Sequence, residues 1–386
     1  MEPVNDLLTA ARTLTGLEDF GEDTFREGLE CLVRALRVEA RLNAVGEYTL
    51  RELIITLLSN RLCIEDWYRR HPEIADEPVE RPLITLGLPR TGSSALSFLM
   101  AEDPGTRSLR VWEAVEPCPP PSTVTGPDPR VARAEARART RDEIMPRLAT
   151  LLPTSPTGPE ECQDLMALDF KAHYFQAFAH VPTYSAWLLD ADLTPTYSYE
   201  RRTLKLLQWG SPARPWRLKC PSHMLFLDHL DRAFPDARFV MTHRDPTEVM
   251  VSVADLYGGM RPLLTDDVDL ASLGPLNVEQ WSLAMRRALA FRDAGHDDRF
   301  FDMDFRTVQR APLEEVRRLY DWLGEPVTPQ FEAGMQRWWH ENAESRGQHV
   351  PPDPATYGID LEKVRPLFAD YVARAAQWTA PRTVAD

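Results

Sequence analysis

Between Gly87 and Ser94 this chain gathers the side chains best suited to hold an anion. The run Leu-Ile-Thr-Leu-Gly-Leu-Pro-Arg-Thr-Gly from Leu83 to Gly92 is followed at once by Ser93 and Ser94. Gly87 and Gly92 bracket four residues, the spacing of a loop that cradles a phosphate between a strand and a helix. Glycines let the backbone close around the ligand, and the helix behind them offers unpaired N–H groups and a partial positive charge. Arg90, Thr91, Ser93 and Ser94 add a cation and hydroxyls. The position that holds the lysine of a nucleoside-triphosphate loop is Ser93, and the cation lies inside the loop as Arg90. That weakens the case for γ-phosphoryl transfer, in which lysine and Mg²⁺ neutralise the triphosphate together. An ordinary strand-to-helix turn carries the same glycine pair, so the loop needs partners elsewhere.

A second group follows the apolar run Arg238 to His243. Arg244 stands at its end, and Ser252 comes eight residues later. Asp245 suits an N-cap, Pro246 the first helical position, and Glu248 completes a cap pattern. An arginine and a helical serine so placed can grip a phosphate, one by charge-assisted bonds and the other by its hydroxyl. The plainer alternative is an arginine paired with Asp245 and a small residue chosen for packing. Lys219, after the short apolar run from Trp216, is a third strand-end cation.

These groups need elements to position them. Leu83–Gly87, Trp216–Lys219, Arg238–His243 and Phe300–Phe305 read as buried strands, separated by helical stretches. Such alternation predicts an α/β fold on a central parallel sheet, where ligands collect at the carboxyl ends of strands. Arg90, Lys219 and Arg244 would all stand at those ends. Residues 1 to about 78 look helical, with a capping-box pattern at Thr24–Glu27 and apolar spacing through Phe25, Leu29, Leu32, Val33 and Leu36. The expected organisation is a helical N-terminal cap over 1–80 packed on a single α/β domain over 81–386. Cys118–Pro129 and Leu152–Pro159 read as loops from their prolines, and Val131–Thr150 as a solvated Arg/Glu helix.

Composition narrows the function. The 386 residues carry a net charge of −15, from 59 acidic and 44 basic side chains, against broad nucleic-acid binding. The five scattered cysteines suggest reduced thiols, not a disulfide framework or a zinc site, and the nine histidines include no HxxxH or HExxH, so no metal is expected. No signal-like N-terminus or long apolar stretch is read, which predicts a cytoplasmic protein without a membrane span. A homo-oligomer stays open.

Taken together, Leu88–Ser94 and Arg238–Ser252 resemble the 5′-phosphosulfate loop and the 3′-phosphate motif of the sulfotransferases that use 3′-phosphoadenosine 5′-phosphosulfate (PAPS). Asp103-Pro104, Arg110–Ala114, Leu206–Trp209, Leu218–His223 and Phe234–Arg238 resemble the bacterial branch, over residues 82 to 375. The resemblance implies a P-loop-like three-layer fold with a helical N-terminal extension. It implies sulfuryl transfer from PAPS to a hydroxyl, less readily an amine, of a small-molecule or lipid acceptor, leaving PAP. By the same resemblance Arg90, Thr91, Gly92, Ser93 and Ser94 hold the 5′ end of the donor, and Arg244 and Ser252 its 3′-phosphate. Lys219 would reach the bridging or a sulfonate oxygen, so Arg90, Lys219 and a base form the catalytic set. Part of the family places a histidine two residues after that lysine; here the position is Pro221. Other branches use a carboxylate soon after the loop helix, the place of Glu113, with His223 and Glu160 as lesser candidates. Phe170, His173, Tyr174, Phe175 and Phe178 could line an acceptor pocket or simply be core. The rival reading is a P-loop kinase for a nucleoside or small molecule, with Asp302 and Asp304 as the nearest candidates for Mg²⁺ ligands.

Overall fold

A computed structural model describes residues 1–152, 155–343 and 352–380. Five strands lie side by side: β1 (Leu83–Gly87), β2 (Arg107–Ser108), β3 (Trp216–Lys219), β4 (Arg238–His243) and β5 (Phe300–Asp304). Their order is β2-β3-β1-β4-β5, and every pairing is parallel. β1 is central and wholly buried, as a five-residue run without a charge must be when helices cover both faces. Successive residues feed opposite layers. Ile84, Leu86, Phe239 and Met241 join the larger apolar core, whereas Leu83, Val240 and Met303 join a second core with Leu96, Leu99, Leu319 and Phe331. The predicted α/β, three-layer, P-loop-like architecture is the one observed.

Each strand candidate read from apolar runs forms a strand. β2 has only two residues and no apolar run, so periodicity could not find it; it pairs Arg107 with Trp216 and Ser108 with Arg217. Cys118–Pro129 is irregular apart from a single turn at Pro121–Thr123, and the Arg-rich stretch forms a mostly exposed helix, Pro129–Ile144. Of the second proline loop, residues 153 and 154 lie outside the described residues.

Three helices precede β1: α1 (Val4–Thr15), α2 (Arg26–Val38) and α3 (Ala44–Arg70). The predicted α2 stripe of Leu29, Leu32, Val33 and Leu36 is buried. Thr24 does not cap this helix. Its hydroxyl donates to Asp169 Oδ1 at 2.8 Å, because Asp169 needs partners more than the helix end does. Asp169 is fully buried between Arg61 and Lys171, 3.4 and 3.0 Å away. Arg61 also donates to the carbonyls of Phe20, Glu22 and Leu168, so this buried charge is satisfied on all sides. Phe170 and Phe175 stack beside this node, and Phe25 packs on Phe170. They are core rather than pocket wall.

Candidate active site

The β1 loop enters α4 (Ser93–Met100) through Gly92, whose φ is +84°. A Cβ there would stand 3.0 Å from the Phe305 ring, so glycine is required both by conformation and by space. Arg90 is also left-handed, at φ +63°, a conformation few non-glycine residues adopt and one that clusters at functional loops. The first helical bond of α4 runs from Leu96 N to Gly92 O, which leaves the N–H groups of Ser93, Ser94 and Ala95 at the loop mouth without helical acceptors. The Thr91 side chain turns inward instead, donating to Leu88 O at 2.7 Å and meeting Thr242 Oγ1 at 2.5 Å. Its hydroxyl pins the loop to β4, and Thr91 itself does not line the cavity at the loop.

Arg90 reaches across to the helix Pro246–Met260. Its Nε donates to Ser252 Oγ at 3.2 Å and its Nη1 to Leu151 O at 2.7 Å. Arg244 returns the contact, with Nη1 on Arg90 O at 2.9 Å. The two sequence motifs, separated by some 150 residues, therefore meet. Burial and the neighbouring Arg244 charge both lower the Arg90 pKa. Arg244 pairs with Glu248 at 2.9 Å and lies over the Phe305 ring; Asp245 instead caps the helix by accepting from Thr247 N at 2.8 Å. The expected cap at Asp245 thus forms, while the Glu248 side chain serves Arg244.

Lys219 ends β3, next to β1 in the sheet. Its Nζ donates to Ser94 Oγ at 3.3 Å and to Glu161 Oε1 at 2.5 Å. Burial alone would lower its pKa; the Glu161 carboxylate outweighs burial and raises it, so the ammonium stays charged. Arg90, Lys219 and Arg244 thus stand at the ends of three adjacent strands, β1, β3 and β4, where the order turns both ways from β1.

The base candidates fall in different places. Glu113, in the short helix Val111–Val115, is 3 % exposed and does not line the cavity at the loop. Its Oε1 accepts from Arg107 at 2.8 Å and its Oε2 from Arg110 N at 3.2 Å; burial raises its pKa against those two arginines. His223 is fully buried, bonded through Nδ1 to Tyr197 OH at 3.0 Å, and burial lowers its pKa to about 3. Glu160 turns back to accept from Glu161 N at 2.8 Å. Glu161 lines the cavity, its side chain 26 % exposed. Sequence reasoning passed over it, although it adjoins Glu160 and only a spatial partner for Lys219 would have singled it out.

The cavity holds about 690 Å³ and is lined by Arg90, Ser94 and Arg244 together with Phe98, Trp281 and Trp338. Phe98 and Trp338 stack there at 5.1 Å, and Trp281 meets His173 edge-on at 5.1 Å. Of the aromatic stretch singled out in the sequence, His173 alone reaches this cavity. Its Nε2 lies 2.7 Å from Gln280 Oε1, and burial lowers its pKa to about 4.

Neither kinase carboxylate is available. Asp302 is held by Arg292 through two bonds of 2.7 and 2.8 Å and by His243 at 2.7 Å, and Asp304 caps a helix by accepting from Thr307 N at 3.0 Å. Among the described residues no helix is long and apolar enough to cross a membrane.

A central parallel sheet with a glycine-bracketed strand-to-helix loop at its switch point, and cations at the neighbouring strand ends, defines a P-loop-like fold. The sequence pattern of the sulfotransferase family matches residues 82–329. The chain belongs to the sulfotransferase family and is a transferase. Among solved structures it is similar to sulfotransferase STF9 from Mycobacterium avium, with 33 % identity, a TM-score of 0.89 and 97 % of each chain covered. It is likewise similar to sulfotransferase STF1 from Mycobacterium tuberculosis H37Rv, at 29 % identity and a TM-score of 0.80, over 96 % of this chain and 99 % of that one. No curated protein sequence matches it significantly.

Proposed function

We propose that this enzyme moves a sulfuryl group from PAPS to a hydroxyl carried on an apolar body, leaving PAP. The observation that carries the reading is the meeting of Arg90 with Ser252 and Arg244, beside a loop whose Gly92, Ser93 and Ser94 line the cavity. Free N–H groups of α4, with Ser93 and Ser94, suit the 5′ end of the donor; Arg244 and Ser252 suit its 3′-phosphate. Lys219 and Arg90 oppose the charge that grows on the departing phosphate oxygen, and fixed cations there act most strongly in a cavity partly shielded from water.

Glu161 takes the place of the base in this mechanism. It lines the cavity, where Lys219 and the Gln163 side-chain amide hold its two oxygens, whereas Glu113 is buried away from the cavity. As the acceptor oxygen attacks sulfur, the acceptor proton passes to the Glu161 carboxylate. The bond from sulfur to the phosphate oxygen breaks, and the electron pair leaves with PAP. Lys219, bound to Glu161 before the donor enters, stands within reach of both the base and the leaving oxygen. Phe98, Trp281, Trp338 and Tyr257 provide a wall for a lipid, sterol-like or phenolic alcohol.

Thermal stabilisation by PAP, ADP and ATP, each with and without Mg²⁺, tests the reading. PAP should raise the melting temperature most, unaffected by Mg²⁺. Stabilisation by ATP that requires Mg²⁺, and exceeds that by PAP, contradicts it.

A further inference from the structure

Directly behind the Lys219–Glu161 pair lies a group of side chains that the proposed reaction does not use. Cys162 follows Glu161 and donates its N–H to Lys219 O at 3.0 Å. Glu200 projects from the helix Thr194–Gln208, and His223 from the turn Pro221–Leu225 that follows β3. All three residues are fully buried, and a thiol sulfur, a carboxyl oxygen and an imidazole nitrogen lie within 4.8 Å of one another. Neither Glu200 oxygen meets a nitrogen or oxygen partner among the described residues; its neighbour is the Cys162 thiol. His223 Nε2 is likewise without a partner, while Nδ1 is fixed by Tyr197 OH.

Without a further occupant this arrangement is costly, because buried polar atoms are almost always paired. The set nevertheless has the composition of a transition-metal site: one soft sulfur, one imidazole nitrogen and one carboxylate oxygen. A second partner on the far ring nitrogen of a ligating histidine is the usual means of aiming the other nitrogen at a metal, and Tyr197 occupies that place. Charge closes the argument, since a thiolate and a carboxylate cancel a dication beside a neutral imidazole, which removes the penalty on a buried net charge.

We propose that Cys162, Glu200 and His223 bind a zinc-type divalent ion, in a structural rather than reacting role. The ion joins the segment that carries Glu161, the helix Thr194–Gln208 and the turn after Lys219. It thereby fixes the backbone on either side of the cavity pair. The ligands come from three distant parts of the chain, so no histidine spacing reveals them. The site stands independently of the PAPS reading, because its ligands and its test involve neither donor nor acceptor.

The test is the metal content of the full chain, expressed in zinc-supplemented medium and dialysed against metal-free buffer, together with the spectrum after cobalt(II) exchange. One zinc per chain is expected. Cobalt should give a thiolate charge-transfer band that is lost in Cys162→Ser. A strong chelator should lower the melting temperature of the wild type, and zinc should restore it. Should His223→Ala fail to fold, the wild-type metal content and cobalt spectrum still decide the matter. Protein that holds no zinc, with a melting temperature that added zinc leaves unchanged, overturns the proposal. So does a thiolate–cobalt band that survives in Cys162→Ser, because the metal then lies elsewhere.

Discussion

Glu113 and Glu161 each lie against a cation of the central sheet, but Arg107 begins β2, level with the start of β3, whereas Lys219 ends β3. The Arg107–Glu113 pair stands at β2, on the edge of the sheet. Both of its carboxylate oxygens are bonded, and Arg107 also donates to Leu207 O at 2.8 Å. The Lys219–Glu161 pair stands beside the central strand and opens on the cavity, next to Ser94. A carboxylate whose lone pairs are committed to backbone and guanidinium holds a loop in place. One that faces a cavity, held by Lys219 and by the Gln163 side-chain amide at 3.1 Å, can exchange a partner for a substrate proton. Proximity to the phosphate loop in sequence favoured Glu113; access favours Glu161.

The largest expected effect is that of Glu161→Gln, which keeps the shape and cannot accept a proton. It should lower kcat by on the order of 10²–10⁴ for an aliphatic alcohol while PAP affinity stays near wild type. Steady-state rates with calorimetric PAP titration measure both, and a loss confined to PAP binding would make Glu161 a donor contact. Lys219→Ala should follow, lowering kcat by on the order of 10²–10³ with a smaller loss of PAP affinity, since the lysine answers charge that develops only as the bond breaks. Equal losses in both would reduce it to a phosphate clamp.

Arg244→Ala should weaken PAP about ten- to a hundredfold and leave ADP little changed, as expected for one charge-assisted phosphate contact. Equal losses for both nucleotides would place Arg244 elsewhere on the donor. Glu113→Gln belongs to the other side of the comparison. It should cost about 1–3 kcal/mol of stability in denaturant unfolding, by leaving Arg107 poorly paired, and change kcat little.

A further expected effect concerns His173. Its pKa falls from 6.5 in the open chain to about 4 in the fold, chiefly through burial. The unfolded chain therefore binds more protons between those values, and stability is complete above pH 6.5 and lost as pH falls toward 4. The difference in unfolding free energy between wild type and His173→Gln should change across that window by up to about 1.4 kcal/mol per pH unit. A flat difference would mean that His173 is solvated in the fold.

Much of this was legible in the sequence. The apolar runs of Leu83–Gly87 and Arg238–His243 found their strands, because strands buried on both faces cannot alternate with polar residues, while the run read at Phe300–Phe305 found the partly exposed edge strand Phe300–Asp304. Strand-end cations were legible for the same reason, since a parallel sheet fixes where its ends gather. β2 was not, as two residues bear no periodicity and owe their place to Trp216 and Arg217 on the neighbouring strand. Glu161 escaped notice because nothing in its local sequence separates it from Glu160; the difference is that Glu160 bends back to its own chain while Glu161 finds Lys219. Phe170 and Phe175 carried a misleading signal, for an aromatic run packs a core as readily as it walls a pocket. Cys162, Glu200 and His223 could be grouped only by the fold.

The most direct test sets the two carboxylates against each other in one experiment: single-turnover transfer from PAPS to the best acceptor in a panel of lipid, sterol-like and phenolic alcohols, with wild type, Glu161→Gln and Glu113→Gln each saturated with PAPS. The account predicts that Glu113→Gln transfers at close to the wild-type rate per folded molecule, while Glu161→Gln is slowed on the order of 10²-fold or more. A Glu113→Gln enzyme that is folded, saturated and inert, beside a Glu161→Gln enzyme that transfers normally, would contradict it.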